Sequence, residues 1–368
     1  MAKIITVYTD ILRAPDILNE QLTPVDMSYI RWFSISKELA RLGHEVDIAS
    51  NEFSLRKNNS PIVMSKNLRR VRLDKVKWDN YDVVKTAYHT GFNTLKKYGG
   101  LKHPFIISKL GSVVAPIDRK DIYFYGRIRK DLYATQELIN KTSRYISVLT
   151  GNAKKLWQEC FGVKDNLLIV PGATDRSIPA RDASPYPDDG RIRCIYAGNL
   201  YTKDTQPEAN AALVKKLNTL GNLLVKRNIR LFVCGRGDIT NLDPKAVTHL
   251  GAIPYPESWQ YIFHADVGIV LSPVKKVNNN ESTKLYYYLR AGLPIVMEKG
   301  FPNERLLIDA KLGFISPNSK PKSMARDIET AANIKTWDKK YAVRLILNKH
   351  TWDKRAQIYD EVIRNEKI

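Results

Sequence analysis

The stretch ESTKLYYYLRAGLPIV, residues 281–296, holds a helix start, a lysine and a buried strand within sixteen residues. Ser282 and Thr283 are helix-capping residue types, and the free N–H groups at such a terminus, with the positive end of the helix dipole, favour an anion. Lys284 adds a full positive charge at the same corner. Leu285 and Leu289 share one helical face, Gly292 suits the helix end, and Pro294 leads into an apolar run at 295–297 that has the pattern of a parallel strand. A strand and helix meeting at a cationic corner suit a nucleotide diphosphate. An amphipathic helix with a solvated lysine is the plainer reading, and the upstream sequence weighs against it.

Upstream, strand and helix patterns alternate. Strands are predicted at 193–197, 230–234, 247–250 and 267–271, with helices at 206–226 and 259–264. Beyond the opening stretch come a helix at 303–310, a strand at 313–315 and a helix at 321–332. The first half repeats the theme. A strand at 4–8, a helix at 28–42 and a strand at 46–49 form a βαβ unit, followed by strands at 83–86, 104–108, 145–149 and 167–170 and helices at 92–97, 133–141 and 153–161. Such alternation predicts parallel, doubly wound sheets. Between the halves the chain is rich in Pro, Asp and Ser, so the organisation expected is a domain at 1–178, a linker at 179–190, a second domain at 191–345 and a terminal helix at 346–368.

The chain has 368 residues, enough for two cores, and a formal charge of +21 that decorates folded surfaces and implies an acidic partner. Cys160, Cys194 and Cys234 lack zinc-ligand or disulfide-framework spacing, which fits a reducing cytoplasm. The apolar run in the opening MAKIITVYTD is too short for a secretory signal or a spanning helix, and no later run reaches eighteen apolar residues. The expected location is cytoplasmic, with attachment to the inner membrane face left open.

These residues carry a family resemblance. YAGNL (196–200), LFVCGRG (231–237), HLGAIPYPES (249–258), YIFHADVGIVLSP (261–273) and ESTKLYYYLRAGLPIV together resemble the donor-binding domain of GT-B glycosyltransferases. IITVYTD, LARLGHEVDIAS and YDVVKTAYH resemble the opening of that fold's first domain, and HTWDKRAQIYDEVI (350–363) its final helix. The resemblance implies two Rossmann-like domains facing across a cleft, with the C-terminal helix crossing back to the N-terminal domain. The E-x(7)-E signature of many retaining members is absent, Asn279 and Tyr287 standing at the two glutamate positions. Gly198-Asn199-Leu200 replaces the frequent G-R-L. A lysine followed three residues later by a polar residue is similar to the xanthan-type glucuronosyltransferase, an inverting membrane-associated enzyme.

What the resemblance implies for the donor site is a diphosphate held by Lys284 and Arg236 beside the turn at Gly198 and Asn199. Ile253, Pro254 and Tyr255 would run beside the base or form a plain loop. Glu281, Ser282 and Thr283 lie at the helix start, the first two as partners for sugar hydroxyls. Of the adjacent Tyr286, Tyr287 and Tyr288, which point in different directions on a helix, Tyr287 is the one assigned to the ligand. No cofactor and no metal is expected, the leaving diphosphate being stabilised by these charges and the helix N-terminus.

For catalysis, a general base for the acceptor hydroxyl is sought in the first half. Asp118 in SVVAPIDRK, His89 after the strand at 83–86, and Asp26 in TPVDMSY are the candidates, each of which also reads as a cap or surface residue. Lys109 is a further anion contact. Two basic stretches, KNLRRVRLDKVK (66–77) and RKDIYFYGRIRK (119–130), interleave cations with aromatics, Arg119, Tyr123, Tyr125 and Arg127 among them. They suit an anionic membrane surface or a lipid pyrophosphate, while nucleic acid is the rival and a solvated face the plain reading. The activity expected is transfer of a sugar from a nucleotide sugar, uridine-linked, to a lipid-linked or polysaccharide acceptor, in a chain that works as a monomer. A non-catalytic nucleotide-sugar or anionic-glycan binding protein of the same fold is the alternative.

Overall fold

The computed structural model describes residues 1–9, 27–51, 61–116, 118–119, 126–202, 206–273 and 280–366. They form two compact units, one made of Met1–Pro171 with Trp352–Ile368, the other of Gly172–Thr351.

In the first unit, β1 (Lys3–Val7), α1 (Met27–Arg41), β2 (Glu45–Ser50), β3 (Ile62–Ser65), β4 (Leu68–Arg72), β5 (Val83–Ala87), α2 (Tyr88–Lys97), β6 (Ile106–Lys109), α3 (Gly126–Thr142), β7 (Tyr145–Val148), α4 (Gly151–Phe161) and β8 (Leu167–Ile169) follow in order. The strands lie in the order β3-β4-β2-β1-β5-β6-β7-β8, parallel except for the β3–β4 hairpin. β1, β2 and β5 to β7 are buried almost throughout, as in a sheet covered on both faces. Ile5, Val7, Ala49, Val84 and Ile106 pack with Leu95 of α2, and Ile146 and Val148 pack with Phe92, Ile139 and Trp157 from α2, α3 and α4.

The second unit contains β9 (Ile192–Ala197), α5 (Pro207–Val225), β10 (Ile229–Cys234), β11 (Val247–Gly251), α6 (Tyr255–His264), β12 (Val267–Val270), α7 (Lys284–Ala291), β13 (Ile295–Glu298), α8 (Glu304–Ala310), β14 (Gly313–Ser316), α9 (Pro321–Asn333) and α10 (Lys339–Lys349). Its sheet is parallel, in the order β11-β10-β9-β12-β13-β14. Cys194, Tyr196, Leu231, Val233, Ile269 and Val296 face α5 and α9.

The last helix, α11 (Trp352–Asn365), belongs to the first unit. Tyr359 Oη and Ser147 Oγ are 2.7 Å apart, and His44 lies 2.8 Å from Asp360. Because His44 Nδ1 accepts the Ala2 N–H at 3.1 Å, its Nε2 carries the proton donated to Asp360. The final helix thus returns to the N-terminal sheet, as the sequence suggested.

Two expectations change. The stretch at 179–190, expected to link the two domains, is part of the second unit: Tyr186 is buried, its ring 4.6 Å from Phe232 and its hydroxyl donating to the Tyr261 carbonyl at 2.8 Å. The basic stretch at 66–77 contains β4, and its arginines are not a free cationic face. Arg70 is fully buried, Arg69 forms two hydrogen bonds to Asp47 at 2.8 and 3.0 Å, and Arg72 pairs with Asp74. Strand alternation buries every second side chain, and the sequence reading had treated the stretch as surface.

Candidate functional site

In the second unit the strand order reverses around β9, whose neighbours are β10 and β12. Parallel sheets bind ligands at such a switch point, beyond the carboxyl ends of the strands. There the turns after β9 and β10 are knitted together. Gly198 donates to the Cys234 carbonyl at 2.7 Å, Leu200 to the Arg236 carbonyl at 2.7 Å, and the Arg236 N–H to Asn199 Oδ1 at 2.9 Å. Asn199 therefore spends its carbonyl on shaping the turn. Gly235 and Gly237 have φ of 156° and 130°, and a Cβ on either would strike the backbone of Gly198 or Leu200.

Lys284 starts α7 beside this turn. Its side chain crosses Gly198 so closely that a Cβ there would lie 2.2 Å from Lys284 Cε and 2.5 Å from Nζ. The ammonium is 4.4 Å from the Tyr196 ring centroid, a cation–π distance. One turn later on the same helical face, Tyr288 is fully buried. Its hydroxyl accepts the Ala197 N–H at 2.7 Å and donates to the Ile195 carbonyl at 3.2 Å, anchoring α7 to the end of β9. Gly268 leaves room for its ring, 2.6 Å from where a Cβ would stand. Neither Tyr288 nor Gly268 was singled out from sequence; only the i, i+4 spacing from Lys284 hinted at the former.

The entry to α7 is also fixed. Glu281 accepts from the Gly172 N–H and, at 2.9 Å, from the Tyr286 hydroxyl, so this carboxylate closes the loop. Asn303 accepts the Ser282 N–H at 3.1 Å and donates to the Ser282 carbonyl at 2.9 Å. Contrary to the capping expectation, α7 has no side-chain cap, and Thr283 occupies the N-cap position with helical dihedrals. Ser282 Oγ is buried without a hydrogen-bond partner, at a helix end whose N–H groups favour an anion.

Tyr287 is only 3 % exposed. Its ring packs 5.8 Å from Tyr255 and 5.3 Å from Trp259. Tyr255 opens α6 after Ile253 and Pro254, and its hydroxyl donates to Asp175, burial pushing its pKa well up. These rings pack α7 against α6, and that packing is what turns Tyr287 inward. Arg236 is half-buried at the tip of the β10 turn.

The residues named in the first unit are scattered. His89 lies in the first turn of α2, buried, with Nε2 3.3 Å from Gln136 Oε1; burial pushes its pKa down to about 4 against the opposing pull of that hydrogen bond. Asp118 is exposed in a turn. Lys109 is fully buried at the end of β6, Arg119 pairs with Glu159 at 2.5 Å, and Arg127 is 95 % exposed. Asp26, Tyr123 and Tyr125 lie outside the described residues. Among the described residues no group of three or more His, Cys, Asp or Glu gathers to hold a metal ion, and no helix is long and apolar enough to cross a membrane.

Two parallel-sheet units and a returning terminal helix define the GT-B glycosyltransferase fold. The chain is similar over 99 % of its length to 98 % of the sucrose-phosphate synthase of Thermosynechococcus elongatus, with a TM-score of 0.72 and 14 % identity. It is similar over 99 % of its length to all of HepE from Anabaena, solved with UDP, with a TM-score of 0.66 and 11 % identity. WaaG, a glycosyltransferase of lipopolysaccharide biosynthesis, aligns over 98 % of this chain and 99 % of its own, with a TM-score of 0.63 and 12 % identity. No family model and no curated protein matches the sequence.

Proposed function

We propose that the protein is a glycosyltransferase that binds a nucleotide sugar at the carboxyl edge of the second unit and transfers its sugar to an acceptor hydroxyl. The observation that carries this reading is the placement of Lys284 over Gly198 at the switch point of the sheet, beside the unpartnered Ser282 hydroxyl at the start of α7. A diphosphate leaving group develops negative charge as the sugar departs. An ammonium and the N-terminal amides of a helix, fixed before the reaction, stabilise that charge without reorganising. Arg236 at the neighbouring turn is the second cation in this scheme.

Uridine is the proposed base, supported by the similarity in fold to HepE, which was solved with UDP-glucose. In the scheme no metal is needed, since the protein's own charges face the diphosphate. A lipid-linked or polysaccharide acceptor at the inner membrane face accords with the exposed Arg127 and the aromatic and basic residues around it in sequence. His89 is the preferred candidate to contact the acceptor hydroxyl. Gln136 Oε1 can only accept, so His89 donates from Nε2 and leaves Nδ1 as an acceptor. Asp118, by contrast, is exposed.

The test is a thermal-shift screen against nucleoside diphosphates and their sugar conjugates, followed by donor hydrolysis without acceptor. A shift with a uridine nucleotide that disappears in Lys284→Ala, together with slow turnover, supports the reading. A shift without turnover, with or without added acceptor sugars, would identify a binding protein of the same fold. No shift with any nucleotide would overturn the donor site.

A further inference from the structure

In the first unit the sheet order also reverses, between β1 and β5, and the carboxyl edge at that point is lined with aromatic rings. Tyr8, just beyond β1, stacks on Trp32 of α1 at 5.5 Å and 28°, and meets Tyr29 edge-on at 4.9 Å and Tyr88 edge-on at 5.8 Å. Trp32 and Tyr29 are buried at 1 % and 7 % exposure, whereas Tyr8 and Tyr88 each keep part of their surface open. The two inner rings therefore brace Tyr8, and Tyr8 in turn packs edge-on against Tyr88.

Tyr88 carries a backbone conformation that tyrosine rarely adopts. It follows the last residue of β5 with φ of 62°, the left-handed region, and it is the only aromatic residue with positive φ among the described residues. The site needs a glycine opposite: a Cβ on Gly111, two residues after β6, would stand 2.9 Å from the Tyr88 ring. Strained backbone persists where the surrounding structure enforces it, and such strain gathers at ligand sites. The next residue is His89, whose hydrogen bond from Nε2 leaves a neutral ring with an acceptor at Nδ1.

We propose that the Tyr88 ring, held edge-on against Tyr8, forms a carbohydrate-stacking platform at the carboxyl edge of the first unit, which takes the ring of the acceptor's terminal sugar. The inference rests on the transferase reading only for the word acceptor; sugar binding at this edge stands on the geometry of the first unit. A braced aromatic ring offers a flat apolar face to the C–H face of a pyranose, and a neutral imidazole acceptor suits a sugar hydroxyl. A cluster that served packing alone would need no left-handed tyrosine, since a glycine or asparagine meets that backbone at lower cost.

The experiment is saturation-transfer NMR on the full chain with D-glucose, D-galactose, D-mannose and D-glucuronate, and with UDP as an internal control. At least one monosaccharide is expected to receive saturation in the wild type and in Tyr88→Phe, which keeps the ring. That signal is expected to fall at least fivefold in Tyr88→Asn, which suits the left-handed backbone but lacks the ring, and in Gly111→Ala, which displaces it. UDP signals should persist in all four proteins. Equal sugar signals in all variants, or no sugar signal beside a clear UDP signal, would overturn the platform. Sugar binding that follows Tyr88 in a protein that ignores UDP would instead overturn the donor site and leave the platform standing. Silence from both ligands would overturn both.

Discussion

The hydroxyl of Tyr288 accepts the backbone N–H of Ala197 at 2.7 Å, and this bond ties the helix that carries Lys284 to the end of the strand that precedes Gly198. Lys284 stands one turn before Tyr288 on the same face, so anchoring the tyrosine places the ammonium.

Tyr288→Phe should therefore weaken both fold and site. The Ala197 N–H loses its acceptor beneath α7, and leaving such a donor unmade costs about 1–3 kcal/mol. Urea titration should show a lower midpoint with an unchanged slope, and UDP affinity should fall although no proposed ligand contact has been removed.

Gly198→Ala separates charge from position. Its Cβ would collide with the far end of the Lys284 side chain, which can swing away, so folding stability should change by less than about 1 kcal/mol. The displaced ammonium would then miss the proposed diphosphate. UDP affinity by calorimetry should drop about tenfold to a hundredfold, the usual span for a charge-assisted hydrogen bond, and Lys284→Ala should give a loss of the same order.

Lys85 is fully buried on β5, with its ammonium 5.2 Å from the Tyr359 ring and no hydrogen-bond partner, and burial lowers its pKa to about 7. The unfolded chain holds that proton up to its ordinary pKa of 10.5, so between pH 7 and that value the unfolded state binds more protons. Its contribution to stability accordingly rises with pH across this window and is least favourable below it. Lys85→Met should raise the melting temperature, most at or below pH 7, with the advantage shrinking towards pH 10. An advantage independent of pH would show that the lysine is not the titrating group.

Glu298, 3 % exposed at the end of β13, receives Lys216 Nζ on both oxygens at 2.8 and 2.9 Å and the Ser272 N–H at 2.9 Å. Lys216→Met leaves that carboxylate buried without its cation, a loss of about 3–5 kcal/mol. Adding Glu298→Gln should recover most of it in denaturant unfolding, because the amide carbonyl still accepts from Ser272.

Much of the fold was legible because buried parallel strands are apolar runs and the helices between them have amphipathic spacing. The run at 295–297 sits within β13, and Gly292 ends α7 with φ of 68°, as its position after the last helical residue implied. The β3–β4 hairpin escaped notice because Arg69, Arg70 and Arg72 of β4 look like surface until pairing in the sheet buries Arg70. In the site, Lys284 was legible as a charge at a helix start.

The sequence by itself determined that strands and helices alternate and that Lys284 stands at a helix N-terminus, since these follow from side-chain periodicity and local backbone chemistry. Only the tertiary structure decided which of three consecutive tyrosines holds the helix. Tyr286 bonds Glu281, Tyr287 packs on Trp259, and Tyr288 reaches the backbone of β9. The three share one composition and one local structure. Their roles differ because each points to a different neighbour, and those neighbours are brought into reach by residues far away in the chain.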